Sequence, residues 1–179
     1  MNKENNLLKI KLLVSDVDGV MTDGSIIYSS NNSELKAFNI KDGLGIRIAG
    51  LIGLNVVILT GRKSEVVTRR AAELGIEVVQ GQNDKSAGIR QITEKYELTY
   101  DQVAYIGDDL NDLPAMHLVG YVFAPADSVE EIIEIANCVT ESKGGRGAVR
   151  EAIEKILKAQ NKWEDGKKKF TEFCTGKHP

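Results

Sequence analysis

The chain has 179 residues, 42% of them hydrophobic and 27% charged, with a net charge of −3. That length suits one domain with a full core, and these fractions exclude a disordered or collagen-like chain. The mildly acidic balance argues against a dedicated nucleic-acid binder, and Cys138 and Cys174 are too few for a disulfide framework or a thiolate zinc site. Charge is unevenly spread: residues 158–179 carry six Lys against Glu164, Asp165 and Glu172, a local excess of +3 that leaves −6 on the rest.

The polar first residues lead straight into Leu12-Leu13-Val14, with no apolar stretch of the kind a secretory leader needs. The longest apolar run, 51–59, is broken by Gly53 and Asn55 and is far shorter than the roughly 20 residues of a membrane span. A cytoplasmic protein with reduced thiols and no membrane partner is expected.

In chain order, strands are predicted at 11–15, 55–59, 77–80, 102–106 and 121–123. Helices are predicted near 44–51, 64–74, 86–96, 110–118, 129–136 and 147–157. Gly75 reads as the stop of one helix and Ser128 as the N-cap of another. This alternation implies right-handed βαβ units, hence a Rossmann-like α/β fold: a parallel sheet in a three-layer αβα arrangement. One segment breaks the rhythm. Ser25-Ile26-Ile27-Tyr28 and Leu35-Lys36-Ala37-Phe38 flank a polar turn, predicting a β-hairpin flap at about 23–39, directly after the first strand. The domain is expected to cover 1–160, with 161–179 as a C-terminal tail.

Ligands in such sheets bind at the carboxyl ends of the strands. The first strand ends in Asp16-Val17-Asp18-Gly19-Val20 and the second in Thr60-Gly61-Arg62. The third leads to Asp84-Lys85, and the fourth ends in Gly107-Asp108-Asp109-Leu110-Asn111-Asp112. Crowded carboxylates repel one another, and a hard cation with oxygen ligands, such as Mg2+, resolves the conflict. Phosphate is the natural co-ligand, because Thr60 offers a hydroxyl, Lys85 a compact charge and Gly61 open backbone. Singly, each of these is ordinary: Asp-x-Asp as a solvated turn, Asp108 and Asp109 as helix caps. In order at successive strand ends, they are not.

This ordered set resembles the haloacid dehalogenase superfamily of phosphohydrolases. The resemblance implies that Asp16 is a nucleophile forming an aspartyl phosphate, and that Asp18 protonates the leaving oxygen and then activates water. It implies that Mg2+ is held by the Asp16 carboxylate, the Asp18 carbonyl and the Asp108 carboxylate, and that Thr60 and Lys85 hold the phosphoryl group. The intervals between Asp16, Thr60 and Lys85 leave no space for a cap domain.

Phe38-Asn39-Ile40-Lys41-Asp42-Gly43 with Arg47, Leu59-Thr60-Gly61-Arg62, and Gly144-Gly145-Arg146-Gly147-Ala148-Val149-Arg150-Glu151 are similar to the uncapped 3-deoxy-D-manno-octulosonate 8-phosphate phosphatases. That family removes the phosphate from a lipopolysaccharide sugar precursor. It implies a homotetramer in which hairpins pack together and a tail reaches a neighbour's site. It also implies substrate contacts at Asp18, Asn39, Ile40, Lys41, Asp42, Gly43, Arg47, Thr60, Gly61, Arg62, Arg70 and Lys85. Arg forks match a sugar acid's carboxylate. Arg62 favours the eight-carbon substrate, since enzymes for nine-carbon sugar acid 9-phosphates have an acidic residue there. The alternatives are such a nine-carbon phosphatase, a non-catalytic phosphatase-like assembly domain, and a phosphoacceptor receiver. The last would place its Asp at the third strand's end, where Gln80-Gly81 stand.

Overall fold

Each central strand is an apolar run buried on both faces, as parallel strands covered by helices must be. A computed structural model describes residues 6–31 and 33–176. The elements are β1 (Leu12–Ser15), a hairpin of β2 (Ile27–Tyr28) and β3 (Glu34–Leu35), α1 (Ile40–Leu51), β4 (Asn55–Thr60), α2 (Glu65–Leu74), β5 (Glu77–Gln80) and α3 (Lys85–Lys95). They continue with β6 (Val103–Ile106), α4 (Leu113–Met116), β7 (Tyr121–Ala124), α5 (Glu130–Ile135), β8 (Cys138–Val139), α6 (Ala148–Ala159) and α7 (Trp163–Cys174). Six strands pair in parallel in the order β5-β4-β1-β6-β7-β8. The order reverses between β1 and β6, the switch point where such sheets open a crevice.

Strand alternation sorts the core into two layers. Leu13, Val56, Ile58, Ala104 and Ile106 pack against α1, α2, α6 and Trp163. Leu12, Val14, Val57, Leu59, Val103 and Tyr105 pack against α3, α4 and α5. The three-layer αβα expectation is met.

Local chemistry explains most boundaries. The Asn39 side chain accepts the Lys41 amide and starts α1 four residues before the predicted 44. Gly75, at φ 69, closes α2 as expected. Asp84 accepts amides of Ser86 and Ala87 and opens α3. The predicted helix 110–118 divides into a 3-10 turn, Leu110–Asp112, and the short α4 with Pro114 in its first turn. Ser128 does not cap α5; its hydroxyl donates to the Pro125 carbonyl and Val129 precedes the helix. β8 was not predicted, being two residues long. Nor was α7, which lies on α1 and α6 of its own chain. Among the described residues no helix is long and apolar enough to cross a membrane.

Candidate active site

β1 and β6 are neighbours in register, Ser15 opposite Ile106, so Asp16 and Asp108 emerge side by side at the switch point. Gly19, at φ +86, turns the chain back beneath them; a β-carbon there would lie 1.9 Å from Asp108 Oδ2. Gly107 has the same role toward Asp112, where a β-carbon would meet Cγ at 2.4 Å. Bare backbone lets three carboxylates converge: Asp16, Asp108 and Asp112 each place an oxygen within 4.8 Å of the others.

The three acids are treated differently. Asp112, fully buried, is saturated. Its Oδ1 accepts Lys85 Nζ at 2.5 Å and the Tyr105 hydroxyl at 2.6 Å, and its Oδ2 accepts the Asp108 amide at 3.0 Å. It therefore organises the site rather than offering a free ligand atom. Lys85 is 1% exposed and also reaches Asp16 Oδ2 at 2.9 Å. Burial alone would lower the Lys85 pKa, but Asp16 and Asp112 outweigh it and hold it above its ordinary value. Asp108 Oδ1 is buried with no hydrogen-bond partner.

Burial first, and the Asp112 charge second, push Asp16 up to about 7 against the pull of Lys85. Burial, then Asp112 and Asp16, push Asp108 up to about 8. Two carboxylates this reluctant to ionise, one with an orphaned oxygen, make a donor set that a hard cation satisfies. The residues fit Mg2+.

Asp16, Asp18, Thr60, Gly61, Arg62 and Asp108 line one cavity of about 240 Å³, together with Gly24, Asp109 and Asn111. The structure thus brings together the predicted ends of β1, β4 and β6, with Lys85 beneath. It does not bring the remaining predicted substrate contacts to this cavity. Asn39 caps α1 and donates to the Gly145 carbonyl at 3.3 Å. Ile40 is 83% exposed, and Lys41 lines a charged hollow beside α6. Asp42 accepts the Arg150 amide, and Gly43 lies under the Arg70 guanidinium, where a β-carbon would meet Nη2 at 2.5 Å. Arg47 donates to the Glu73 carbonyl and lines an apolar hollow of about 300 Å³ beside Phe170 and Phe173. Arg70 stacks over Phe38 and pairs with Glu73. Within one chain Asn39, Asp42, Arg47 and Arg70 are engaged in packing and capping, while Ile40 and Lys41 are exposed. Arg69 also pairs with Glu73.

The hairpin adds two residues that the sequence reading passed over. Lys36 donates to Asp18 Oδ1, and its side chain is 1% exposed. Glu34 accepts Arg62 Nη2 at 2.8 Å and the Ser64 hydroxyl at 2.5 Å. The Ser64 hydrogen bond above all keeps the Glu34 carboxyl below its usual range. The available signal was the alternation Glu34-Leu35-Lys36, which puts both charges on one face and Leu35 on the other.

A family described as haloacid dehalogenase-like hydrolase matches residues 61–153, the class that this fold and carboxylate rim define. The 3-deoxy-D-manno-octulosonate 8-phosphate phosphatase KdsC of Salmonella typhi is 46% identical over 168 residues, 93% of this chain and 88% of that protein. The crystal structure of the Yersinia pestis 3-deoxy-D-manno-octulosonate 8-phosphate phosphatase superposes with a TM-score of 0.88 at 45% identity, covering 90% of this chain and 88% of that one. The Moraxella catarrhalis phosphatase, solved with magnesium ion, phosphate ion and KDO, gives a TM-score of 0.90 at 41% identity over 94% and 97% of the two chains. The chain belongs to the 3-deoxy-D-manno-octulosonate 8-phosphate phosphatase family of haloacid dehalogenase-like hydrolases.

Proposed function

We propose that the protein hydrolyses 3-deoxy-D-manno-octulosonate 8-phosphate to the free sugar acid and phosphate, for lipopolysaccharide precursor synthesis. The observation that carries this reading is the convergence of Asp16, Asp18, Thr60, Arg62 and Asp108 on one cavity over the buried Lys85, in a chain 46% identical to KdsC. Mg2+ would be held by the Asp16 carboxylate, the Asp18 carbonyl and the Asp108 carboxylate. When bound it neutralises phosphoryl charge, which is most of what this transfer requires.

The chain's own groups do the rest. Asp16 attacks phosphorus while Asp18 gives its proton to the departing sugar oxygen, leaving an aspartyl phosphate and the free sugar acid. Asp18, now a carboxylate, takes a proton from water as that water's oxygen attacks phosphorus, releasing phosphate and restoring Asp16. Lys85 keeps Asp16 in place and, with the Thr60 hydroxyl, steadies the phosphoryl oxygens. Arg62, standing at the rim, takes the sugar carboxylate. The exposed Ile26, Ile27, Tyr28 and Leu35 of the hairpin suit burial between copies of the chain in a cytoplasmic homotetramer.

Phosphate release with Mg2+ across a panel of sugar phosphates tests the reading. Turnover of the eight-carbon sugar acid phosphate above neutral sugar phosphates is expected. Preference for a nine-carbon acid would move the substrate, and no turnover of any acidic sugar phosphate would remove the enzyme assignment.

A further inference from the structure

The hairpin is built inside out. Ile27 and Leu35 face each other across its two strands and are exposed, as is Tyr28. Its lysine is the buried part. Lys36 has a side chain only 1% exposed, a burial that a lysine rarely accepts unless paired. Both of its partners are carboxylates: Asp18 Oδ1 directly, and Glu34 Oε1 at 3.5 Å. Glu34 is in turn fixed by Arg62 and Ser64, which stand just after β4. A chain of charge-assisted contacts therefore runs from the end of β4, through the hairpin, to the Asp18 carboxylate.

The two oxygens of Asp18 are not equivalent in this arrangement. Oδ1 holds the Lys36 ammonium. Oδ2 lies 3.8 Å from Arg62 Nε, beyond hydrogen-bonding distance. One oxygen is anchored and the other is left to the cavity. A flexible carboxylate turns about its last torsion over a broad range, so a group meant to exchange a proton with one bound oxygen needs such an anchor.

We propose that Lys36 is a positioning residue for the reaction: it anchors Oδ1 of Asp18 so that Oδ2 is the oxygen that exchanges the proton, with Glu34 holding the ammonium in place. The proposal rests on the assignment of Asp18 as acid and base made above. A misplacement of about 1 Å at a reacting group costs on the order of 100-fold, and general acid catalysis supplies about 100- to 10,000-fold. Loss of the anchor belongs in the lower part of that range.

The test compares K36M, K36R and D18N with the unmodified protein, all with Mg2+, on the sugar acid phosphate and on p-nitrophenyl phosphate. An alkoxide leaving group needs the proton, whereas p-nitrophenolate leaves without it. K36M should lower kcat on the sugar phosphate by about 100-fold, with much less effect on the aryl phosphate. K36R should recover a large part of that loss, and the Mg2+ concentration giving half activity should stay unchanged. An equal loss on both substrates, or no loss, overturns the positioning role. If K36M does not fold, E34Q should show the same substrate-selective loss in milder form, and its absence counts equally against the proposal. D18N separates the two levels. If it keeps turnover of the sugar phosphate, the Asp18 assignment itself is wrong; if it loses turnover and K36M does not, only the Lys36 role fails.

Discussion

Asp42 Oδ1 accepts the backbone amide of Arg150 at 2.7 Å, so the first turn of α1 caps the first turn of α6. Gly147, the residue that precedes α6, has no side chain to do this, and it leads out of the Gly144–Gly145 pair that packs against the loop behind Asp18. The Gly145 amide donates to the Val20 carbonyl at 2.9 Å, and a β-carbon on Gly144 would lie 1.9 Å from the Gly19 carbonyl oxygen. Asp42 thus supports the loop that follows β1 from a distance.

Burial pushes Asp42 up to about 6, against the Arg150 and Gly147 amides and the Arg150 and Arg70 charges. The folded chain therefore holds that proton more tightly than the unfolded chain, whose value is 3.8. The group's stabilising contribution is present below about pH 4 and is lost as pH rises through 6. D42N keeps one acceptor and does not titrate. The stability difference between native protein and D42N, from urea melts, should therefore move in favour of D42N between pH 4 and pH 7. A difference that is flat, or that moves the other way, would show that the amides and charges around Asp42 outweigh its burial. D42A, which removes the cap outright, should cost about 0.5–2 kcal/mol near pH 4 and less as pH rises through 6.

Asp16 gives a different signature, because its surroundings oppose its charge. D16N should reduce phosphate release by at least about 1,000-fold and leave the fold intact. In metal-free buffer at pH 8, where the native Asp16 carries a charge its burial disfavours, D16N should melt no lower than the native protein. A clearly lower melting temperature would show that the Lys85 pair contributes more to stability than the crowding of three acids takes away.

Mg2+ should stabilise the protein more at high pH than at low. Asp16 and Asp108 sit at about 7 and about 8 in the folded metal-free chain, against 3.8 unfolded. Metal-free stability should fall as pH climbs from about 4 through 8, since the folded state binds the extra protons. A cation that needs ionised carboxylates displaces those protons, and ligand binding raises stability by mass action. The rise in melting temperature with saturating Mg2+ should be larger at pH 8 than at pH 6. Adding Mg2+ at pH 7 in weak buffer should release protons. Equal shifts at both pH values would show that Asp16 and Asp108 are already ionised without the metal.

The strand ends were legible because each chemistry-bearing residue follows an apolar run directly: Asp16 after Leu12–Ser15, Thr60 at the end of Asn55–Thr60, Asp108 just past Val103–Ile106. A parallel sheet leaves such residues only one rim to occupy. Side-chain direction off the helices was harder to read. Arg47 and Arg70 have the right charge for an anionic substrate, yet nothing in their spacing shows that Arg47 is turned to the Glu73 carbonyl and Arg70 to Phe38, or that Asp42 caps α6. The role of Asp112 was likewise hidden, since a buried organiser and a metal ligand are the same residue type at the same loop. Lys36 and Glu34 were missed for the opposite reason: a charged pair beside a polar turn looks solvated until the hairpin folds over the site.

The basic tail makes the last case. The charge excess set the tail apart and the family resemblance implied that it reaches a neighbour's site; residues 163–174 form α7 against α1 and α6 of the same chain, while residues 177–179 lie outside the described residues. Trp163 is 6% exposed, with the Arg150 guanidinium over its ring at 4.6 Å. Gly166 sits so close to α1 that a β-carbon would lie 2.4 Å from Ile52 Cδ1 and 2.7 Å from Ile48 Cγ2. W163A should cost about 3–5 kcal/mol, the range for removing a large aromatic side chain from a packed core. G166V should force α7 off α1 and lower the melting temperature as well. Deleting residues 162–179 should combine both effects and uncover the apolar surface around Ile46, Ile48, Ile52 and Leu74 that α7 lies against, read as increased binding of a hydrophobic dye. A truncated protein that melts like the full chain, with only its substrate affinity changed, would show instead that the tail acts on a neighbouring site and contributes little to its own domain.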